Sequence, residues 1–202
     1  MRSVRGPRVE LRRLGPQDRD AFLAAVGRSR EHLRPWSYPP TDAVGYDAYT
    51  AIDPTHHVLG VFRLEDRALC GTFSISQVFY GPFRSAYLGY YAFAPLAGRG
   101  YMREGMELVL RYAFEGLKLH RLQASIQPAN ARSIALVRSA GFRREGFSPR
   151  YLKIGGRWRD HEHWAIVAED PRGRDRTRAG GPRSDAATER SRMEAGVPRM
   201  GD

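Results

Sequence analysis

The chain has 202 residues, of which 42% are hydrophobic and 11% aromatic, so it is long enough for one well-filled core and short for two. Its formal net charge is +11, but only Lys118 and Lys153 among the 33 basic residues are lysines, and the arginines are spread along the chain between acids. A diffuse excess of this kind is weak evidence for a nucleic-acid partner and fits a solvated basic surface at least as well.

The sequence has none of the features expected of a secreted, disulfide-bonded, zinc-binding or membrane-spanning protein. Cys70 is the single cysteine, which excludes an internal disulfide, and no Cys/His spacing of a zinc site is present. Residues 1–16 contain arginines without an apolar run behind them, and no segment reaches the length of a membrane span. We therefore expect a cytoplasmic protein without a bound metal.

Apolar periodicity and turn residues divide residues 1–170 into the strands and helices of one domain. In chain order they predict a strand at 9–14, helices at 16–28 and 43–52, strands at 57–64, 68–79 and 84–93, a helix at 104–114, a strand at 119–126, a helix at 133–139, and strands at 142–152 and 159–167. The three strands between 57 and 93 are predicted to form an antiparallel meander, and residues 154–157 a turn between the last two strands.

The last part of the chain differs in composition. Residues 171–202 contain no Leu, Ile or aromatic residue and are rich in Arg, Gly and Pro. Such a segment cannot bury enough apolar surface to offset the entropy of ordering. The sequence therefore predicts a disordered tail that carries no catalytic group.

A rigid aromatic loop is predicted at residues 31–40, where three prolines surround Trp36 and Tyr38. One interpretation is that the loop forms the wall of a substrate pocket, with Trp36 and Tyr38 as substrate-binding residues. An equally good alternative is that Trp36 only fills the core.

A glycine loop, Ala97-Gly98-Arg99-Gly100-Tyr101-Met102, precedes the helix predicted to begin at Glu104. Two glycines two apart let the backbone approach a ligand closely, and the following helix points unpaired N–H groups at the same place, which suits a pyrophosphate. An ordinary tight turn is the alternative. Arg103 stands where a dinucleotide fingerprint needs its third glycine, and no Gly-Lys-Ser/Thr is present, so two common nucleotide loops are excluded.

A second informative stretch runs from Gln127 to Phe142. Pro128 ends the preceding strand, Asn130 can cap the next helix, and Ser133 then falls in the first turn of that helix. From the residues alone, capping is the simplest role for Asn130.

Together the two stretches resemble the GCN5-related N-acetyltransferases (GNATs). The glycine loop is similar to their acyl-CoA loop, Gln/Arg-x-x-Gly-x-Gly/Ala, with Gly100 at the central glycine; Ala97 and Met102 depart from the pattern. Asn-x-x-Ser at 130–133, followed by Ala-Gly-Phe at 140–142, resembles the second GNAT motif.

Other segments resemble one branch of the GNATs, the ribosomal-protein N-terminal acetyltransferases named for RimJ and RimL. They are residues 144–147, 151–152 and 156–161, with residues 32–36 and 87–90 closer to RimJ. The resemblance covers Val9 to Glu169.

The resemblance implies an α/β (α+β) GNAT fold: a central, mostly antiparallel mixed sheet of six to seven strands, about four flanking helices, and acyl-CoA in the cleft after the fourth strand. It implies acetyl-CoA as co-substrate. Backbone amides would bind the pantetheine arm at Tyr90, Tyr91 and Ala92, and the pyrophosphate at Gly98, Arg99, Gly100, Tyr101, Met102 and Arg103. Asn130 and Ser133 would complete the cofactor site.

The resemblance also implies direct attack of an amine on the acetyl thioester, which needs one group to take the amine proton and another to protonate the leaving thiolate. Ser133 matches the serine proposed to protonate the thiolate. Ser125 and Arg150 stand at two places where related enzymes have a glutamate base, and Val137 stands where they have a tyrosine acid. The remaining nominees for the base, acting through water, are Asp160, His161 and Glu145.

The expected function is transfer of an acetyl group from acetyl-CoA to the N-terminal α-amine of a protein, such as a ribosomal protein. Tyr80 and Tyr151 join Trp36 and Tyr38 as predicted substrate-binding residues. The alternatives are a small amine as acceptor, a larger acyl group, or a non-catalytic acyl-CoA-binding protein. No membrane partner or nucleic-acid substrate is expected, and a homodimer is left open.

Overall fold

The computed structural model describes residues 3–170, so the tail predicted at 171–202 lies outside the described residues. The strands are β1 (Val4–Arg5), β2 (Val9–Arg13), β3 (His57–Arg63), β4 (Leu69–Phe79), β5 (Ser85–Ala92), β6 (Arg121–Ile126), β7 (Arg143–Ile154) and β8 (Arg157–Val167). The α-helices are α1 (Arg19–Arg28), α2 (Arg30–Leu33), α3 (Ala43–Thr50), α4 (Tyr101–Arg111) and α5 (Ala131–Ser139). In this part of the chain no helix is long and apolar enough to cross a membrane.

The strands form one mixed sheet in the order β1-β2-β3-β4-β5-β6-β8-β7. Neighbouring strands are antiparallel except β5 and β6, which are parallel, so the predicted mostly antiparallel mixed sheet is confirmed. Beyond the predicted six to seven strands and about four helices, the structure has β1, with two residues, and α2, with four. Both are too short for apolar periodicity to reveal them.

Each face of the sheet carries an apolar core. On one face α4 buries Met106, Val109 and Leu110, which confirms the apolar side predicted for this helix. On the other face α1 and α3 bring together Phe22 and Tyr46, whose ring centres are 5.1 Å apart. Helices therefore pack on both faces of the sheet, and its accessible part is an opening between two of its strands.

That opening lies between β5 and β6. The two strands pair at three positions, the last of which joins Tyr87 to Gln123. Beyond it β5 continues to Ala92 and β6 to Ile126 without a ladder between them. We call this separation the fork. Because β4 stays paired with β5 as far as Ala92, only the β5 edge that faces β6 is open. This is the predicted cleft, since β5 is the fourth of the predicted strands.

The fork has two distinct faces, because successive side chains of a strand point to opposite sides of a sheet. On one, the α5 face, Tyr90 of β5 reaches Ser133 of α5. On the other, which we call the loop face, Ser125 is half-buried while its neighbours on β6 enter the core under α4. Gln127 donates from its amide to the Pro35 carbonyl at 3.3 Å, which ties the aromatic loop to this end of β6.

Candidate active site

The glycine loop joins β5 to α4 through two left-handed residues, Gly98 at φ +80° and Gly100 at φ +85°. Glycine occupies this region without the steric cost that other residues meet. Gly100 is the N-cap of α4, which begins at Tyr101 rather than at the predicted Glu104. Part of the predicted loop is therefore the first turn of the helix.

The N–H groups of this first turn are available to a ligand. Glu104 donates to the Gly100 carbonyl at 3.2 Å, the usual i to i−4 bond of a helix. Within residues 3–170, no group accepts a hydrogen bond from the N–H groups of residues 101–103, and no side chain caps the helix. Adjacent free donors at the positive end of a helix dipole suit a phosphate group.

Arg8 lies over the glycine loop, although it is far away in the sequence. Its Nη1 donates to the Arg99 carbonyl at 3.4 Å, and its guanidinium lies 5.1 Å from the ring centre of Tyr101. Glu104 anchors this segment by accepting from the backbone N–H groups of Arg8 and Val9 at 2.7 and 3.0 Å. Arg8 was not predicted from the sequence; its Nε donates to Glu104 Oε2 at 3.1 Å, and its guanidinium brings further N–H donors beside the free amides.

The side chains of Tyr101 and Met102 are both packed against other parts of the protein. Met102 is 9% exposed and packs in the core, with its sulfur against Gly71. The Tyr101 ring lies between the guanidinium groups of Arg8 and Arg63, at 5.1 and 5.8 Å. What these two residues offer a ligand is therefore their backbone N–H groups.

The backbone N–H and C=O groups of successive β5 residues point alternately towards β4 and towards β6. Phe93 donates to the Cys70 carbonyl at 2.9 Å, so its N–H faces β4. In an antiparallel ladder the backbone groups of every second residue point to the same side, so Tyr91 also faces β4, whereas Tyr90 and Ala92 face the fork. Two of the three predicted pantetheine contacts are thus directed at the opening.

Ser133 and Tyr90 meet on the α5 face of the fork. The Tyr90 hydroxyl lies 2.5 Å from Ser133 Oγ, while Asn130 Oδ1 accepts from the Ser133 N–H at 3.2 Å and so caps α5 as predicted. Burial raises the pKa of Tyr90 above its usual value, so the phenol stays protonated. Val137 is buried in the core, and the phenol on this face comes from β5 instead of α5.

Residues 8–143 match the sequence profile of the GNAT acetyltransferase domain. The chain belongs to the GNAT family of acetyltransferases. Over 178 residues it is 39% identical to the "Probable N-acetyltransferase YjcK" of Bacillus subtilis, a match that covers 83% of this chain and 98% of the relative.

Two further comparisons bear on its subfamily. The ribosomal protein uS5-alanine N-acetyltransferase of Escherichia coli is 31% identical over 169 residues, covering 76% of this chain and 85% of the relative. The solved structure of Mycobacterium smegmatis RimJ in complex with CoA-disulfide has a TM-score of 0.72 and 29% identity, covering 80% of this chain and 82% of that one. The resemblance to the RimJ branch is thereby confirmed.

This GNAT uses acetyl-CoA as its co-substrate. Its own residues fit that molecule, because free amides at a helix N-terminus with Arg8 beside them suit a pyrophosphate, and an open strand edge suits an extended pantetheine arm. Acetyl-CoA supplies an activated acetyl thioester, and the expectation of an N-acetyltransferase is confirmed.

The aromatic loop lies on the loop face of the acetyltransferase. Trp36 is half-buried, whereas Tyr38 is 58% exposed. The Tyr38 hydroxyl sits against Gly155 in the β7–β8 turn, where an added Cβ would come within 2.4 Å of it. Since Pro35 contacts Gln127, the loop reaches from the end of β6 to the β7–β8 turn. That position suits a wall for the acceptor, and a substrate contact by Trp36 and Tyr38 stays a prediction.

Of the three residues nominated as the base, Asp160 and Glu145 are bonded to other groups and His161 is buried. Asp160 accepts from the Arg150 N–H at 2.7 Å and supports a left-handed residue there, at φ +49°. Glu145 pairs with Arg121, whose hydrogen bonds hold the pKa of that carboxyl below its usual range. His161 is 2% exposed, and burial lowers its pKa.

Five side chains that are separated in the sequence meet around His163. We call His161, His163, Ser125, Ser148 and Tyr151 the histidine cluster. Its centre is His163, with Nδ1 at 3.1 Å from Ser125 Oγ and Nε2 at 2.8 Å from Ser148 Oγ. The ring centre of Tyr151 is 4.7 Å from that of His163 and 5.7 Å from that of His161. The sequence did contain one signal for this cluster: His161 and His163 are two residues apart on a predicted strand, and residues so spaced share a face of the sheet.

Two predicted substrate contacts lie in different places. Tyr151 interacts with Tyr87, whose pKa is raised by burial first and then by Tyr151, and Tyr87 is the last paired residue before the fork. Tyr80 lies in the β4–β5 turn, 53% exposed, at the end of β5 opposite to the glycine loop. The structure therefore brings Tyr151 to the fork and keeps Tyr80 away from it.

Proposed function

We propose that this acetyltransferase modifies the N-terminal α-amine of a protein, with a ribosomal protein as the leading candidate. The observation that carries the proposal is the 31% identity, over 85% of its length, to an enzyme whose name specifies an alanine of ribosomal protein uS5. The similarity to Mycobacterium smegmatis RimJ supports the same acceptor class.

The charges around the loop face favour an acceptor with a single amine over a polyamine. A polyamine carries several positive charges and requires free carboxylates, because a charge removed from water must be paired. Glu145 is paired with Arg121, and Asp160 is bonded to the Arg150 N–H. The net charge of +11 adds a general repulsion of polycations. An α-amine at the end of a peptide carries a single positive charge, which it loses before it reacts, so it meets both difficulties to a smaller degree.

In the proposed reaction, the residues of the fork bind the co-substrate and orient its thioester. The first-turn N–H groups of α4 and the guanidinium of Arg8 hold the pyrophosphate. The N–H groups of Tyr90 and Ala92 on the open β5 edge orient the pantetheine arm and the thioester carbonyl, which gains negative charge as the amine attacks. Ser133, with the Tyr90 phenol beside it, donates a proton to the departing thiolate.

A thiol-release assay with acetyl-CoA and short peptides tests the acceptor. We expect CoA release with peptides that begin with a free Ala or Ser, and no release with the same peptides after their N-terminus has been blocked. Mass spectrometry should place the acetyl group on the α-nitrogen. Turnover confined to small amines, or acetylation of lysine side chains in the blocked peptides, would contradict the proposal.

Arg8→Gln should weaken acetyl-CoA binding roughly five- to thirtyfold, because one charge-assisted hydrogen bond to phosphate contributes about 1–2 kcal/mol. The segment should stay in place, since Glu104 still accepts from two backbone N–H groups. The matched control is Arg5→Gln, which removes an exposed arginine that likewise pairs with a glutamate nearby. Calorimetry at low and high salt provides the measurement; equal affinities for the two variants would show that Arg8 does not reach the phosphates.

We also propose that the enzyme works in the cytoplasm. Its cysteine is buried and unpaired, and burial raises the pKa of the Cys70 thiol to about 11. An unreactive free thiol of this kind suits a reducing compartment.

A further inference from the structure

Ser125, His163 and Ser148 form a hydrogen-bonded row across three strands, β6, β8 and β7. The distances are 3.1 Å from Ser125 Oγ to His163 Nδ1 and 2.8 Å from His163 Nε2 to Ser148 Oγ. Ser125 and His163 are direct partners in the β6–β8 ladder, so their side chains leave the sheet on the same face. The row is therefore built into the sheet itself and does not depend on a loop.

The position of Ser125 relative to the fork places this row beside the opening between β5 and β6. The last β5–β6 pair joins Tyr87 to Gln123, and Ser125 is the next β6 residue on that same face. Ser125 thus lies where the strands have just separated. Ser133 and Tyr90 lie on the opposite face. A thioester held in the fork would have a hydroxyl donor pair on one side and the Ser125 row on the other.

The bonding of His163 suits a neutral imidazole that can accept a proton. With a proton on Nε2, the ring donates to Ser148 Oγ and leaves Nδ1 to accept from the Ser125 hydroxyl. Both serine hydroxyls can donate or accept, so the row allows this tautomer, and the Tyr151 ring at 4.7 Å would fix the ring plane. The other titratable groups facing this imidazole are the His161 ring and the Tyr151 phenol; in the described part of the chain no carboxylate forms an ion pair with it.

We propose that Ser125 and His163 form the proton relay that deprotonates the attacking amine, in place of the glutamate that this chain lacks; the inference rests on the proposed function. The ammonium group of the acceptor gives a proton to Ser125 Oγ as the Ser125 hydroxyl proton moves to His163 Nδ1. The neutral amine then forms the C–N bond to the acetyl carbon, the C–S bond breaks, and the thiolate takes a proton from Ser133 on the α5 face. The nitrogen loses its second proton to water, and water returns a proton to the Ser133 hydroxyl. The imidazolium afterwards releases its proton to water. In this relay Ser125 contacts the amine, and His163 is a positioning residue that acts through it.

The relay predicts a rate deficit that depends on pH. His163→Gln and Ser125→Ala should each lower kcat roughly tenfold at pH 7, because only about one tenth of an α-amine with an ordinary pKa of about 8 is neutral there without the relay. Above pH 9 a peptide α-amine, with an ordinary pKa of about 8, arrives already neutral. The deficit should then shrink to within about twofold. Because the two residues act as one unit, the double variant should be no slower than the slower single variant.

The experiment measures kcat from pH 6.5 to 9.5 for the wild type, both single variants and the double variant, with acetyl-CoA affinity by calorimetry and melting temperature for each. The matched control is His120→Gln, which removes a half-exposed histidine that pairs with Glu169. We expect the control to match the wild type and all variants to bind acetyl-CoA normally.

A deficit that stays constant across the pH range, or single-variant losses that multiply in the double variant, would overturn the relay. If His163→Gln lowers the melting temperature strongly, Ser125→Ala alone still decides, because it keeps the imidazole and removes only the hydroxyl. A wild-type protein that turns over no peptide at any pH would overturn the proposed function and the relay together. Normal wild-type turnover with a pH-independent deficit overturns the relay alone.

Discussion

Gly100→Trp should lower the affinity for acetyl-CoA roughly a hundredfold or more, while the protein stays folded. A Cβ at this position would lie 3.2 Å from Arg8 Nη2, so an indole would occupy the space in front of the free amides of α4. Losing two charge-assisted hydrogen bonds to phosphate, at about 1.5 kcal/mol or more each, is enough for that factor. The left-handed φ of +85° adds a strain of roughly 1–2 kcal/mol, which a folded domain tolerates.

The matched control for this variant is Gly81→Trp. Gly81 also has a positive φ, +71°, and an added Cβ there meets nothing within 4 Å. The control introduces the same indole and a similar strain in the β4–β5 turn, away from the glycine loop. Calorimetry should detect normal binding by Gly81→Trp and lost binding by Gly100→Trp, with both variants melting cooperatively. Equal affinities would remove the glycine loop from the cofactor site.

Ser133→Ala should lower kcat roughly ten- to a thousandfold with little change in the dissociation constant of acetyl-CoA. A hydroxyl that protonates the leaving thiolate acts mainly in the transition state, so its loss reduces the rate and not the binding. The cap of α5 should survive, because Asn130 accepts from the backbone N–H of residue 133, which alanine also has. Steady-state kinetics, calorimetry and a melting curve measure the three quantities.

Tyr90→Phe is the companion variant, because it removes the phenol bonded to Ser133 and keeps the serine hydroxyl. If the phenol only orients that hydroxyl, Tyr90→Phe should cost less than Ser133→Ala, and the double variant should equal Ser133→Ala alone. In Ser133→Ala the buried phenol still has the carbonyl of residue 133, now at 3.3 Å, as an acceptor. A Ser133→Ala protein that is less stable but turns over at the wild-type rate would refute a role in proton transfer.

The cofactor side of the site could be predicted because its parts are consecutive in the chain. An apolar strand, two glycines and an amphipathic helix follow one another from Ser85 to Arg111, and local rules apply to each. The predicted start of α4 was wrong by three residues, from Glu104 to Tyr101, because the left-handed Gly100 forms the cap and the helix begins directly after it. Apolar periodicity does not register such a cap.

The acceptor side could not be predicted because its parts meet only through strand pairing. Ser125 and His163 are 38 residues apart, and His163 and Ser148 are 15 apart. Their contact depends on the order β6-β8-β7 and on the register of both ladders. Arg8 is a more distant case, since it bonds to Glu104 across 96 residues. Asp160 and Glu145 were nominated by residue type alone, which does not reveal the partners that the fold gives them.

The fork also determines which surfaces of the sheet are exposed to other proteins. Unpaired strand edges tend to recruit strands from other chains, and proteins usually blunt or cover them. Here the long open edge belongs to β5, the fifth strand of eight, and is enclosed by the sheet on both sides. The two outer rims are poor templates for aggregation: β1 is two residues long, and β7 is interrupted between Ser148 and Leu152. The unpaired edge of β5 therefore lies inside the sheet, where only a molecule as narrow as an extended chain can reach it.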